Sequence, residues 1–264
     1  SIYLQLNNVL LGFMKDAEAV GYFTAATKIL VITMSLSSSL GAVIMPRTSN
    51  LIAENKMDEF KVLIQKSYDF ILALAMPLTV GLIFSPSVIL LLSGESFAPA
   101  ILTSQIVALN ILMVGISGVM GLQVLYPMGR INIVILCTFI GAVVNVVLNV
   151  LLIPVYGHNG TAVAYMLAEA VTVSMFIIGR RHIPIQFFKK EHLHYVLGSV
   201  CMGICLYWVL LLELDDFMTL ITMLIVGLMM YISVILILKD TMGMLFWKII
   251  KSYLDKCQYK KKLG

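Results

Sequence analysis

Apolar residues run through this chain in long blocks, parted by short polar interruptions. The blocks cover residues 1–14, 21–46, 67–92, 100–127, 131–155, 159–179, 193–212 and 217–238, called segments A to H below. A helix needs roughly 20 apolar residues to cross about 30 Å of hydrocarbon at 1.5 Å per residue. Segments B to H have that length, and segment A is too short to span. Strand-like alternation is absent, so the pattern predicts helices and not a β-barrel. The expected fold is an all-α, polytopic membrane helix bundle. Segment A begins without methionine, inside a hydrophobic pattern, and lacks the basic start of a signal peptide. The expectation is the C-terminal part of a longer protein.

Composition strengthens this reading. Of 264 residues, 60% are hydrophobic and 12% charged, and mean hydropathy is +0.99. A soluble domain carries about a quarter charged residues. The charges that remain are placed unevenly. The stretches after B, D and F, with the C-terminal tail, hold sixteen of the eighteen basic residues. They include Arg47, Arg130, Arg180, Arg181 and seven tail lysines. The stretches after A, C, E and G hold only Lys15. The positive-inside rule therefore predicts that these even loops and the C-terminus are cytoplasmic; the expected location is the plasma membrane. The opposite loops, "KDAEAV", "SGES", "YGHN" and "ELDD", are too short to hold a folded domain. The inner stretch 47–66 mixes Leu51, Ile52, Met57, Phe60 and Leu63 with charges. Two readings stand for it: an amphipathic helix lying on the membrane surface, or a solvated connector.

Few polar groups lie within the spans. Lys28 sits about 10 Å deep in B at 1.5 Å per residue. At 100° per residue, Thr24, Lys28, Ser35 and Ser39 fall within one narrow arc of that helix. Such a stripe suits a water-filled or partner-filled surface; alternatively, Lys28 snorkels to the headgroups. Asp69 lies near the inner end of C, within reach of water. Glu169 sits halfway along F with Tyr165 and Thr172 on its face. At that depth it must be protonated, paired or in a wet cavity, as a coupling carboxylate or a packing one. Asn145 and Asn149 share a face of E, and Asn110 and Gln123 lie in D; amides of this kind link helices.

Other chemistry is not signalled. The sequence holds no phosphate-binding glycine loop, no HExxH and no serine nucleophile elbow. His192 and His194 follow "FKKE" at a membrane boundary and read as an interfacial flank. Cys137, Cys201 and Cys205 lie in apolar runs and read as buried filler. No metal, no cofactor and no enzymatic activity is expected. The lysine-rich tail suits anionic lipid, and topology explains its charge without nucleic acid.

Two stretches resemble a known family. "LNNVLLGFMKDAEAVGYFTAATKI", with the helix ending "VIMPRTSNLIAEN", resembles the start of the second half of polysaccharide flippases. These belong to the multidrug/oligosaccharidyl-lipid/polysaccharide exporter superfamily. "YPMGR" and "LNVLLIPVYGHNGTAVAYMLAE" are similar to later parts of the same pattern. The resemblance implies a second six-helix bundle over 1–179, its first helix truncated, and two additional helices with a basic tail over 180–264. It implies translocation of a lipid-linked oligosaccharide, on undecaprenyl diphosphate, for O-antigen or capsule synthesis. Lys28 would then face a central cavity as a partner for the diphosphate, with Asn7, Asn8, Thr24 and Ser35 around it. The missing N-terminal half of the same chain would supply the opposing bundle. The family's acid–base pair on segment A is replaced by Asn7 and Asn8, which moves any ion coupling elsewhere, Glu169 included.

Two rival readings remain. A cation-coupled multidrug exporter of the same superfamily would use Glu169 as its carboxylate. A membrane oligosaccharide polymerase or ligase would need a charged outer catalytic loop, which the short outer loops do not provide.

Overall fold

The computed structural model describes residues 2–85, 87–179 and 184–238. Pro86, Arg180, Arg181 and the basic tail from residue 239 lie outside the described residues. Eight α-helices follow in order: α1 (Ile2–Met14), α2 (Ala17–Ala53), α3 (Met57–Ile83), α4 (Ser87–Ser93), α5 (Ala100–Gly118), α6 (Ile131–Ile178), α7 (Lys190–Leu210) and α8 (Asp216–Ile237). Among the described residues there is no strand. Among the described residues, five helical stretches are long and apolar enough to cross a membrane: α3, α5 with its extension to Leu125, α6, α7 and α8. The chain is a multi-pass membrane protein.

Local chemistry explains where several helices begin. Asp16 caps α2, its side chain accepting from the Ala19 N–H at 2.7 Å. Asp215 caps α8 by accepting from the Phe217 N–H at 3.3 Å. Such caps satisfy amides that have no partner within the helix.

The inner stretch 47–66 forms neither a separate surface helix nor an open connector. Helix α2 continues through it to Ala53, and α3 starts at Met57 after a tight turn in which Asn55 has φ 56°. Leu51, Phe60 and Ile64 are buried in the bundle. Of the apolar positions taken for a membrane-facing stripe, Leu51 and Phe60 are buried, Ile52 and Leu63 pack against the core, and Met57 is exposed.

Segment C begins ten residues later in the hydrophobic pattern than α3 does in the fold, and its far end is split. Helix α3 stops at Ile83, and α4 follows as a short separate piece. Segment D is α5 continued by a π-helical turn, Val119–Leu125, closed by the Tyr126 N–H on Gly121 O at 2.9 Å. Within that turn Gln123 accepts from Ser67 of α3 at 2.5 Å. The amide links helices, as its position inside D suggested.

Segments E and F are the two arms of α6. The chain breaks at Gly157, with φ 55° and ψ −133°, a conformation that excludes most L-residues. Gly160 then approaches the Leu152 carbonyl so closely that an added Cβ would lie 2.5 Å from its oxygen. Further along, a Cβ on Gly141 would collide with Thr172 Oγ1 and Tyr3 Oη. The arms therefore run side by side, with α1 laid against both.

Helix α7 packs on α3 and α8, and the link before α7 is fastened to α3. Asp69 is the centre of the fastening. It accepts from Gln65 Nε2 at 2.8 Å, Lys189 Nζ at 3.0 Å and His192 Nε2 at 2.9 Å. Gln65 Oε1 also accepts from the Gln186 N–H at 2.8 Å. Tyr68 and Tyr195 flank the His192 ring. His192 is thus a buried member of a polar junction and not an interfacial flank. Asp69 is turned to one cation, Lys189, and two further donors, with its side chain 15% exposed.

Candidate functional site

The exposed faces of the helices differ in chemistry. On α7 and α8 they are dominated by large apolar side chains, among them Val200, Ile204, Trp208, Leu224, Leu228 and Met229. That is the surface hydrocarbon favours. Helix α2 also exposes Val31, Ile32 and Val43, but adds Thr24, Lys28, Ser35, Ser38 and Ser39 along its length. The one buried face of α2 carries Phe23, Ala26 and Leu30. Helical period puts these on the side opposite Lys28, so packing of the apolar face leaves the lysine outward.

The hydroxyls on this face are already committed as donors. Ser35 donates to Ile32 O at 2.6 Å, Ser38 to Met34 O at 2.9 Å and Ser39 to Ser35 O at 2.8 Å. Their oxygens stay free to accept from an incoming group. Among the described residues no carboxylate pairs with Lys28. The arc can therefore present one cation and several acceptors to a ligand.

The structure separates two residues expected to act together. Asn8 is half-buried on α1, with its Oδ1 shielded from solvent. Asn7 is fully buried on the other side, where its Oδ1 accepts from Asn149 Nδ2 at 2.8 Å. Asn149 also donates to Asn145 O at 2.8 Å. This corrects the placement of Asn7: it belongs to the seam between α1 and α6, not to the exposed face with Lys28. The reason is spacing. Neighbouring helical positions point 100° apart, so a pair cannot share one face.

Glu169 lies in the same seam. It is 5% exposed, and Thr172, one turn along, is 3.2 Å from Tyr3 Oη. Tyr3 also donates to Thr138 O at 2.9 Å and meets the Tyr165 ring edge-on. Among the described residues no side chain donates a hydrogen bond to Glu169. Tyr3, which ties both arms of α6 to α1, was not singled out in the sequence; a tyrosine in an apolar run carries no signal of its own.

Beside α2 lies an apolar groove of about 540 Å³. Helices α3 and α8 form its walls, with Leu78, Leu82, Met223, Leu228 and Tyr231 among the lining residues. Ile29 reaches it from α2, so the residue next to Lys28 in sequence touches the groove. No hydrophobic pattern in the sequence could show this groove, since every wall residue is an ordinary residue of a spanning helix. Among the described residues no cluster of histidine, cysteine and carboxylate could hold a metal ion.

A polar, cationic helix face beside an apolar groove in a helical membrane bundle suits a lipid with a charged head. The family model described as lipid II flippase MurJ matches residues 14–228. The chain belongs to this family. Curated relatives of the MurJ-type chain include the probable low-salt glycan biosynthesis flippase Agl15 of Haloferax volcanii. It is 26% identical over 170 residues, covering 64% of this chain and 36% of the relative. The probable flippase AglR of the same organism is 26% identical over 174 residues, covering 63% and 35%. The chain spans about a third of the length of these relatives. In fold it is similar to a lipid II flippase MurJ in an inward closed conformation. The TM-score is 0.75 at 18% identity, over 91% of this chain and 52% of that one. An outward-facing MATE family multidrug resistance transporter gives a TM-score of 0.62 at 17% identity, over 88% and 58%.

Proposed function

We propose that this chain forms the groove-bearing half of a flippase for polyprenyl-diphosphate-linked oligosaccharides. The substrate class is the undecaprenyl-linked repeat unit of a cell-surface polysaccharide of O-antigen or capsule type. The observation that carries the reading is Lys28, exposed on one face of α2 with Thr24, Ser35 and Ser39, while Ile29, about 100° around the same helix, lines the apolar groove. One ammonium can neutralise part of a diphosphate where water is scarce and charge-assisted bonds are strong. The groove offers the prenyl chain an apolar lodging. In this reading Thr24 and Ser35, exposed on the arc of Lys28, contact the headgroup or its sugars, with Asn8 of α1 as a further contact.

A polar face on one half needs a polar partner. The reading therefore includes an opposing bundle over α1 and α2, contributed by the N-terminal half of the same chain. The two halves would rock around the site to open it alternately to each leaflet. The basic stretches after segments B, D and F, with the basic tail, support a cytoplasmic C-terminus in a plasma-membrane protein. No bond is made or broken in such a cycle, so the protein is a transporter and not an enzyme.

The cation-exporter reading is less well supported. It needs a carboxylate on the exposed face, and Glu169 lies in the α1–α6 seam. The test is deletion of the full-length gene in its own host. The flippase reading expects lipid-linked glycan to accumulate in the inner leaflet, shielded from an impermeant lectin. Unchanged glycan export, with loss of organic-cation efflux, would replace it by the exporter reading.

A further inference from the structure

Helix α3 contains Pro77 in its interior. Proline has no N–H, so the carbonyl four residues earlier, Ala73 O, loses its partner within the helix. In a membrane that loss is costly, because no bulk water reaches the carbonyl. The structure supplies a replacement from another helix. Tyr231 of α8 donates its hydroxyl hydrogen to Ala73 O at 2.6 Å. Both residues are buried. Helix α7 makes the room: a Cβ on Gly198 would lie 3.0 Å from Tyr231 Cδ2. A glycine on α7, a tyrosine on α8 and a proline on α3 thus meet at one carbonyl.

The place of this meeting gives it a consequence. Ala73, Pro77 and Tyr231 all line the apolar groove. A proline within a helix is a point of bending, and the tyrosine bonds to the groove's wall at that point. We propose that Tyr231 is a positioning residue for transport: its hydroxyl replaces the N–H that Pro77 lacks and fixes α3 against α8 with the groove open. The hydroxyl does not itself need to touch the transported lipid. The transport part of this proposal rests on the flippase reading above; the fastening does not.

The test is a pairwise comparison in the full-length protein: Tyr231→Phe, Pro77→Ala and the double variant. Tyr231→Phe keeps the ring and removes only the donor. Pro77→Ala restores an amide to Ala73 O within the helix. Two readouts are taken. Hydrogen exchange of the α3 peptide around 70–80, on purified protein without substrate, reads the fastening. Appearance of lipid-linked glycan in the outer leaflet reads transport. Tyr231→Phe should raise exchange severalfold and slow translocation severalfold at unchanged protein level. The double variant should return exchange to within about twofold of wild type. Unchanged exchange in Tyr231→Phe, or a double variant no better than the single, would overturn the fastening. Raised exchange with wild-type translocation would overturn the positioning role. If the wild type itself moves no glycan while the exchange pattern holds, the flippase reading fails and the fastening stands.

Discussion

Asn149 of α6 donates to Asn7 of α1 at 2.8 Å, deep in the bundle, while Asn8 sits half-buried one position along. This bond fixes which face of α1 turns inward. It also removes Asn7 from any surface a substrate could reach. Asn149→Ala should therefore lower stability by about 1 kcal/mol, the usual size of an interhelical hydrogen bond in a membrane protein. In detergent that is a loss of roughly 2–4 °C in midpoint. Translocation per folded molecule should not change, and a scan of melting alongside a transport assay checks both.

The break in α6 depends on glycine. Gly157 has φ 55° and ψ −133°, and Gly160 leaves no space for a Cβ beside the Leu152 carbonyl. Alanine at either position should cost about 1–3 kcal/mol through backbone strain or displacement. Reduced membrane abundance of Gly157→Ala and Gly160→Ala is the expected result, measured by quantitative blotting against Gly118→Ala as a control, since a Cβ on Gly118 meets nothing within 4 Å.

Asp69 takes three donors, from Gln65, Lys189 and His192. Asp69→Asn keeps the shape but loses the charge facing Lys189. The link at residues 184–189 should loosen, and an added protease should cut it faster than in wild type. The effect should be near that of breaking a partly buried ion pair, on the order of 2 kcal/mol or more.

Glu169 is buried in the α1–α6 seam beside Tyr3 and Thr172, away from the polar face of α2. A carboxyl group has nearly the shape of an amide. Glu169→Gln should keep both abundance and transport, whereas Glu169→Lys should not accumulate. A Gln variant that folds fully but no longer transports would make Glu169 the coupling group instead.

Much of the fold was legible in the hydrophobic pattern because a bilayer imposes a minimum length on each apolar run. Segments B, G and H each map onto one helix, E and F onto the arms of α6, and D onto α5 with its π-helical turn, while C is split between α3 and α4. The pattern failed where packing overrode it. Residues 47–66 carry charges among apolar positions, and no periodicity tells a membrane-facing stripe from a bundle-facing one. The polar arc of Thr24, Lys28 and Ser35 was visible because period alone places those residues together. Asn7 was misplaced because the facing of α1 is decided by Asn149, some 140 residues away. The groove and the Tyr231–Ala73 bond were invisible for the same reason: each is made between helices distant in sequence.

The central claim is that Lys28 meets the diphosphate of a lipid-linked glycan. The most direct measurement restores a deletion host with full-length wild type, Lys28→Arg or Lys28→Ala, and asks how much glycan an impermeant lectin reaches. A charge-assisted contact of about 1.5–3 kcal/mol corresponds to roughly a ten- to hundredfold effect. Lys28→Ala should lose outer-leaflet glycan by that factor at unchanged protein level, with Lys28→Arg retaining most of it. Full export by Lys28→Ala would contradict the account.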